Sequence, residues 1–199
     1  MPKKEPISCP ELITDAGRFS LLRAELDKVI DVRKRLPEFV FRRPFARYFA
    51  VEYTHVHRLT FAKLVRAMSD LCSDDSVSYK MLDPDPWAAV GFGLISFSAA
   101  SLPERYVEVM PSRGCLHILD GANLGVFWGS SLKWGVFADR ISWELAVIAM
   151  DEDVDVSKIL QCPSFSAEQV AEYMTSLYQF SNPSAAGEFN RKFLANYSI

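Results

Sequence analysis

The chain has 199 residues, of which 49% are apolar or aromatic and 24% are charged. This length and apolar content support one substantial hydrophobic core and exclude a disordered chain. No apolar run approaches 18 residues, so we expect no membrane-spanning helix, and nine glycines and 11 prolines exclude a collagen-like or linker-like chain. The N-terminal segment has no apolar run long enough for a secretory signal, so we expect a cytoplasmic protein.

The net charge of −3 hides an uneven distribution of charge along the chain. Residues 1–66 contain 14 Lys and Arg against eight Asp and Glu, whereas residues 67–199 contain eight against 17. Such an asymmetry describes surface potential and partners rather than fold. The two parts can attract each other, or each can attract a separate partner.

Helical periodicity marks two segments of the N-terminal half. Apolar residues at steps of three and four predict a helix over about 16–35, with Asp15 as its N-cap and Pro37 as its stop. A second apolar stripe starts at Phe61, with Thr60 as the expected cap, and ends at the SDDS turn. Between these helices, alternating aromatic and β-branched residues predict a strand over about 47–55.

The strongest β pattern lies between residues 131 and 149. Apolar and other residues alternate along two arms, about 131–138 and 142–149, and the Asp139-Arg140 pair lies at the tight connection between them. The pattern predicts an antiparallel hairpin. Because Trp134 and Trp143 share the alternating phase, we expect both side chains to be buried.

The C-terminal quarter is predicted to be helical. Ser166 and Gln169 fit a capping box, and Asn182-Pro183 marks the start of a final helix that carries aromatic residues four apart. Shorter strands are expected around residues 77–81 and 90–98, and a short helix around 101–110. Together the elements predict a single α+β domain over residues 1–199, in which helices at both ends pack on a mostly antiparallel sheet with a central hairpin. A flexible N-terminal segment over residues 1–14 is one interpretation of the start of the chain.

No residue pattern indicates catalysis or a cofactor. His55 and His57 would lie on one side of a strand, but a third metal ligand cannot be named from the sequence. Cys115 and His117 lack a cysteine-hydrolase signature, and no dinucleotide or P-loop motif is present. We therefore expect no enzyme activity, no cofactor and no metal.

A basic and aromatic stretch over residues 33–47 offers a nucleic-acid-binding alternative. Basic side chains neutralise phosphates, and aromatic rings can stack on bases. The overall negative charge and a period that buries most of these rings argue against nucleic acid as a partner. A solvated basic face, or a docking site for the acidic part of the same chain, is the preferred interpretation.

The central part of the chain has a Trp-led strand, an Asp-Arg turn and a W-E-L-A-V return strand in SSLKWGVFADRISWELAVIAMDED, preceded by LTFAKLVRAMSDLC, LDPDPW, GFGLISFS and LPERYVEV. In these motifs and their order it resembles bacterial immunity proteins of polymorphic-toxin and contact-dependent inhibition systems. It covers about residues 59–150. It implies a protein without catalytic residues that binds and neutralises one cognate toxin.

Four carboxylates directly after the predicted hairpin are the candidate partner-binding residues: Asp151, Glu152, Asp153 and Asp155. Side chains so densely charged are best kept solvated, so we expect an exposed loop. An acidic loop would steer the encounter with the cationic cleft of a toxin that attacks nucleic acids. A charged turn that only aids solubility is the alternative.

Overall fold

The computed structural model describes residues 10–56, 58–83, 93–109, 124–152, 159, 164–178 and 181–198. Within these residues there are five α-helices: α1 (Ala16–Val29), α2 (Leu59–Cys72), α3 (Glu104–Val109), α4 (Ala167–Tyr178) and α5 (Pro183–Tyr197). The strands of the same residues are β1 (Arg47–Glu52), β2 (Ser76–Met81), β3 (Leu94–Ser98), β4 (Leu124–Gly129), β5 (Trp134–Asp139) and β6 (Leu145–Met150). The prediction of an α+β domain is confirmed.

The strands form one antiparallel sheet in the order β1-β6-β5-β4-β2-β3. Side chains of α2 and α3 share a hydrophobic cluster with one face of the sheet, and side chains of α1, α4 and α5 share a cluster with the other face. The sheet is therefore the middle of three layers. Every residue of β5 and β6 is buried, because these central strands are covered on both faces.

Local capping explains where three helices begin. The Asp15 side chain accepts a hydrogen bond from the Arg18 amide at 2.7 Å, and the Asn182 side chain accepts one from the Ala185 amide at 3.1 Å. Ser166 and Gln169 form the reciprocal capping box, with bonds of 3.3 and 2.9 Å. These three predicted helix starts are confirmed.

Thr60 does not cap α2, because this helix begins at Leu59, after Arg58. α1 also ends earlier than predicted, at Val29 rather than near residue 35. Beyond Ile30, which pairs with Phe41, the chain folds back across the second face of the sheet. Backbone hydrogen bonds from Asp31 to Val40 and from Arg42 to Val29 take the place of the predicted last helical turns. The charged residues 33–35 therefore lie on a loop.

The hairpin of β5 and β6 is confirmed, but its register differs from the prediction. The strands end and begin at Asp139 and Leu145, so the connection spans residues 140–144 and contains Trp143. The prediction failed because both faces of these strands are buried, and alternation then carries no information about register. Trp134 is fully buried in β5, whereas Trp143 is only partly buried and contacts the cluster of the opposite face.

Two further elements differ from the sequence-based expectation. β1 ends at Glu52 and is followed by a 3-10 turn over Tyr53–His55, and the Tyr53 amide donates to the Glu144 carbonyl. β4 was not predicted, because its residues follow an ambiguous glycine-containing segment. It pairs with both β2 and β5 and thus occupies the middle of the sheet.

Short segments cover both edges of the sheet. Residues 11–13 pair with β3, and Phe165 pairs with Ala50 of β1. Residues 11–13 thus do not fit the interpretation of a flexible segment over 1–14.

Candidate partner-binding surface

Two of the candidate acidic residues, Asp151 and Glu152, lie at one end of the sheet, which we call the acidic end. It comprises residues 74–75, the β4–β5 turn over residues 130–133, and residues 151–152 after β6. The Asp151 amide donates to the Lys133 carbonyl at 2.9 Å, which fixes the first acidic residue beside the turn. Asp153 and Asp155 lie outside the described residues.

Asp151 is held by an arginine from the basic stretch. Both carboxylate oxygens of Asp151 accept hydrogen bonds from Arg43, at 2.9 and 2.6 Å. Arg43 also donates to the Leu132 carbonyl at 3.0 Å and lies 3.9 Å from the centroid of the Phe45 ring. The hydrogen bond to Asp151 raises the pKa of Arg43 above its usual value. A basic residue of the N-terminal part thus docks on the acidic part of the same chain.

The acidic residues differ in their access to solvent. The side chain of Asp151 is 32% exposed and that of Glu152 is 46% exposed, 3.9 Å from the Lys133 ammonium. Asp75 is exposed. Glu152 and Asp75 are therefore better placed than Asp151 to meet another molecule, since Asp151 already satisfies the Arg43 guanidinium.

A buried aspartate, Asp74, connects the β4–β5 turn to β5 through hydrogen bonds beneath the surface of the acidic end. Its carboxylate accepts hydrogen bonds from the Trp134 indole at 2.6 Å, from the Ser130 hydroxyl at 3.4 Å and from the Ser131 amide. Gly129 permits this arrangement, because a Cβ at that position would collide with both the Asp74 carboxylate and the Trp134 indole. Sequence reasoning missed Asp74 because a polar residue after a helix is usually a solvated turn residue.

The only cysteine among the described residues, Cys72, lies near this end of the sheet and is buried. Burial raises the pKa of its thiol to about 11, and the nearby Asp74 carboxylate adds to the shift. The thiol is therefore protonated at neutral pH, and it is a poor nucleophile.

The basic and aromatic stretch does not form a stacking platform for bases. Phe41 and Phe45 are buried, and the rings of Phe39, Phe41 and Tyr48 lie within 6.4 Å of the Tyr197 ring in α5. The basic residues of the stretch bind groups of the same chain: Arg33 and Arg42 pair with Asp31, Arg43 pairs with Asp151, Lys34 donates to the Phe39 carbonyl, and Arg35 donates to the Val32 carbonyl. Of the two preferred interpretations, a solvated basic face and a docking site for the acidic part of the chain, the Arg43 contact agrees with docking.

The histidine and cysteine candidates do not assemble into a site within the described residues. His55 is buried in the 3-10 turn after β1, and its Nδ1 atom has no hydrogen-bond partner there. His57, Cys115 and His117 lie outside the described residues. Across the part of the chain that the structure describes, no three His, Cys, Asp or Glu side chains are arranged to hold a metal ion.

Sequence reasoning also missed a shallow groove at the opposite end of the hairpin. It has a volume of about 210 Å³, and it is lined by Pro37, Trp143, Ala185, Glu188, Phe189 and Lys192. The Trp143 ring lies 4.1 Å from the Phe189 ring, and its indole donates to the Leu36 carbonyl at 3.0 Å. Its described lining has an aromatic floor but offers no buried polar group to orient a small substrate.

No family model, curated protein or solved structure matches this chain. Within the described residues, none of the helices combines the length and the apolar character that a membrane crossing requires.

Proposed function

We propose that this protein is an immunity protein that binds a cognate bacterial toxin in the cytoplasm and neutralises it. One observation carries the proposal: the acidic end holds solvent-accessible carboxylates on a hydrogen-bonded base, in which Arg43 binds both oxygens of Asp151. The resemblance of residues 59–150 to immunity proteins names the class of partner. The protein acts by binding alone.

Charge supplies the physical reason for this choice of surface. The part of the chain after residue 66 has more than twice as many acidic as basic residues. A negative surface raises the association rate with a cationic partner and disfavours negatively charged competitors. Toxins that bind nucleic acids carry the cationic clefts that such a surface complements.

The test separates the clamped carboxylate from the others. We expect the triple variant Glu152→Gln, Asp153→Asn and Asp155→Asn to fold normally but to associate more slowly with the toxin, and with a flatter dependence on salt. The toxin is identified by co-purification from the native host or from a gene immediately upstream. Stopped-flow association at several salt concentrations gives the rates.

A matched control removes three exposed carboxylates from the helices: Asp27→Asn, Glu172→Gln and Glu188→Gln. This variant has the same change in net charge, so a specific role of the acidic residues that follow β6 requires a larger effect in the first triple variant. Equal rates in the two variants would contradict the use of this surface. Salt-dependent binding to DNA or RNA at physiological ionic strength would replace the proposal with the nucleic-acid alternative.

A further inference from the structure

An open sheet has two edge strands whose backbone groups can pair with another chain. In this protein β1 and β3 are the edges of the six-stranded sheet. Among the residues that the structure describes, each edge is covered by a short segment rather than by a full strand. The two covers are attached by different kinds of contact, and this difference has a consequence for the edge at β3.

Residues 11–13 cover β3 by backbone pairing. The Ile13 amide donates to the Leu94 carbonyl at 3.0 Å, and the Ser96 amide donates to the Glu11 carbonyl at 2.9 Å. Leu12, opposite Ile95, packs against the cluster of one face, and Ile13 is buried in the cluster of the other face. We call residues 11–13 the strap.

An ion pair with α3 fastens the strap. Arg105 donates to both carboxylate oxygens of Glu11, at 2.6 and 2.9 Å. The Glu11 side chain is only 11% exposed, and Arg105 also binds Glu108. Because the geometry is bidentate and one partner is largely buried, this contact is stronger than an ordinary surface ion pair.

The cover of β1 has no such ionic fastening among its described contacts. Phe165 exchanges two backbone hydrogen bonds with Ala50, at 2.9 and 2.8 Å, and its ring stacks on Tyr173 of α4. Aromatic stacking does not respond to a change of charge. A charge-dependent release is therefore specific to the edge at β3.

We propose that the strap guards the β3 edge, that is, it can detach and while bound it prevents other chains from pairing there. The Glu11–Arg105 ion pair is the lock that holds the strap in place. Once uncovered, the edge pairs with β3 of a second copy of this chain. The sequence of β3, Leu-Ile-Ser-Phe-Ser, contains no charged residue and no proline. Two such strands can therefore pair without charged side chains of the strands themselves facing each other and without a missing amide.

The register of this pairing follows from the length of the strand. A two-fold axis at Ser96 places Leu94 opposite Ser98 of the second copy and Ile95 opposite Phe97. Because residues of equal parity face each other, the apolar Ile95 and Phe97 positions remain on the same face of the extended sheet. The strap and the second copy compete for the same backbone groups, so only one of them can be bound.

The experiment opens the lock in the full-length chain with Arg105→Gln. At a concentration low enough to keep the variant monomeric, we expect hydrogen exchange of the Ser96 amide to become about tenfold faster, because it loses its bond to Glu11, while exchange in β5 and β6 stays unchanged. We also expect a concentration-dependent dimer by light scattering. Glu11→Gln removes the same pair from the other side and replaces Arg105→Gln if that variant does not fold.

Two further variants separate the lock from general charge effects. The double charge reversal Glu11→Arg with Arg105→Glu is expected to restore slow exchange and the monomer. Lys192→Gln removes an exposed ion pair with Glu188 and is expected to change neither measurement. Unchanged Ser96 exchange in the Arg105 and Glu11 variants would overturn the lock. Faster exchange without a dimer at any soluble concentration would overturn the guarding role of the strap.

Discussion

Each end of the β5–β6 hairpin has a tryptophan and an aspartate. The two side chains bind each other at one end, whereas at the other end each binds a backbone group. At the acidic end, Trp134 lies inside the strand and donates to the buried Asp74 carboxylate at 2.6 Å. At the other end, Trp143 lies in the connection, donates to a backbone carbonyl and borders an open groove. Asp139 ends β5 there and is fully buried, and its Oδ1 atom accepts from the Ser142 amide at 2.8 Å.

The comparison shows that a neighbouring tryptophan and aspartate are energetically coupled only where they bind each other. Asp74 and Trp134 bind each other, so removing either side chain leaves a buried polar group short of one hydrogen bond. Asp139 and Trp143 each bind backbone groups instead. Substitutions at the acidic end should therefore be more costly and more strongly coupled than those at the other end.

Trp134→Ala should give the largest loss of stability. Removing a fully buried indole from the central sheet creates a cavity and leaves the Asp74 carboxylate short of one donor, so we expect a loss of about 3–5 kcal/mol. Urea unfolding at neutral pH measures the loss. Trp134→Phe retains most of the volume, and it should lose only about 1–3 kcal/mol through the missing hydrogen bond. Near-wild-type stability of both variants would remove the distinction between the two ends.

Trp143→Ala should have a smaller effect than Trp134→Ala. The Trp143 side chain is only partly buried, although it packs on Phe189 and Tyr178, so we expect a loss of about 2 kcal/mol by the same unfolding assay. The sequence pattern alone predicts equal costs for the two tryptophans. A loss as large as that of Trp134→Ala would show that the connection is as much a part of the core as the strand.

The Arg43 clamp should contribute less again. Arg43→Ala removes the contacts with Asp151, the Leu132 carbonyl and the Phe45 ring, and we expect a loss of about 1–2 kcal/mol. Asp151→Asn retains an acceptor, and the pair is about one-third exposed, so we expect less than about 1 kcal/mol. Thermal unfolding of the two variants and of their double variant gives the coupling. Equal losses in both single variants would mean that the ion pair alone holds the segment.

Asp139→Asn should change how the free energy of unfolding depends on pH, and should change its magnitude only slightly. Burial raises the pKa of Asp139 above its usual value, so the folded state binds this proton more tightly than the unfolded state does. The wild-type chain therefore loses stability as the pH rises from the unfolded pKa through the folded pKa. Relative to wild type, Asp139→Asn should become more stable over that range, by about 1 kcal/mol or less at neutral pH.

Denaturant unfolding at pH 3 to 7 checks this expectation. Below the unfolded pKa both side chains are uncharged, and the two proteins should differ least in their ionisation. A difference that stays constant across the whole range would show that Asp139 does not titrate differently in the folded state.

Sequence patterns predicted the elements whose signals are local. The caps at Asp15, Ser166 and Asn182 bind within three residues along the chain, so neighbouring letters are sufficient to identify them. The register of β5 and β6 could not be predicted in this way, because both faces of these strands are buried and every position is apolar or small, except Asp139. The α+β fold class could still be predicted, because it depends on the order of helices and strands and not on the register between two strands.

The candidate site was predictable only in part. Asp151 and Glu152 stand out as charged residues after a strong β pattern, and docking between oppositely charged parts follows from the charge asymmetry. The choice of Arg43 as the residue that binds Asp151 could not be predicted, since the two are 108 positions apart. Asp74 has the sequence context of a solvated turn residue after a helix, and nothing local indicates its indole partner, which is 60 positions away.

The absence of a side chain at Gly129 constrains how this protein can diverge. A larger residue at position 129 requires that the Asp74 carboxylate and the Trp134 indole give up the space that they share. A chain that keeps both side chains in place has no room for the Cβ of alanine or serine there, and one that loses only the tryptophan still has the Asp74 carboxylate in that space. Positions 74, 129 and 134 should therefore change together among descendants of this sequence, although they belong to a helix-strand turn and two different strands.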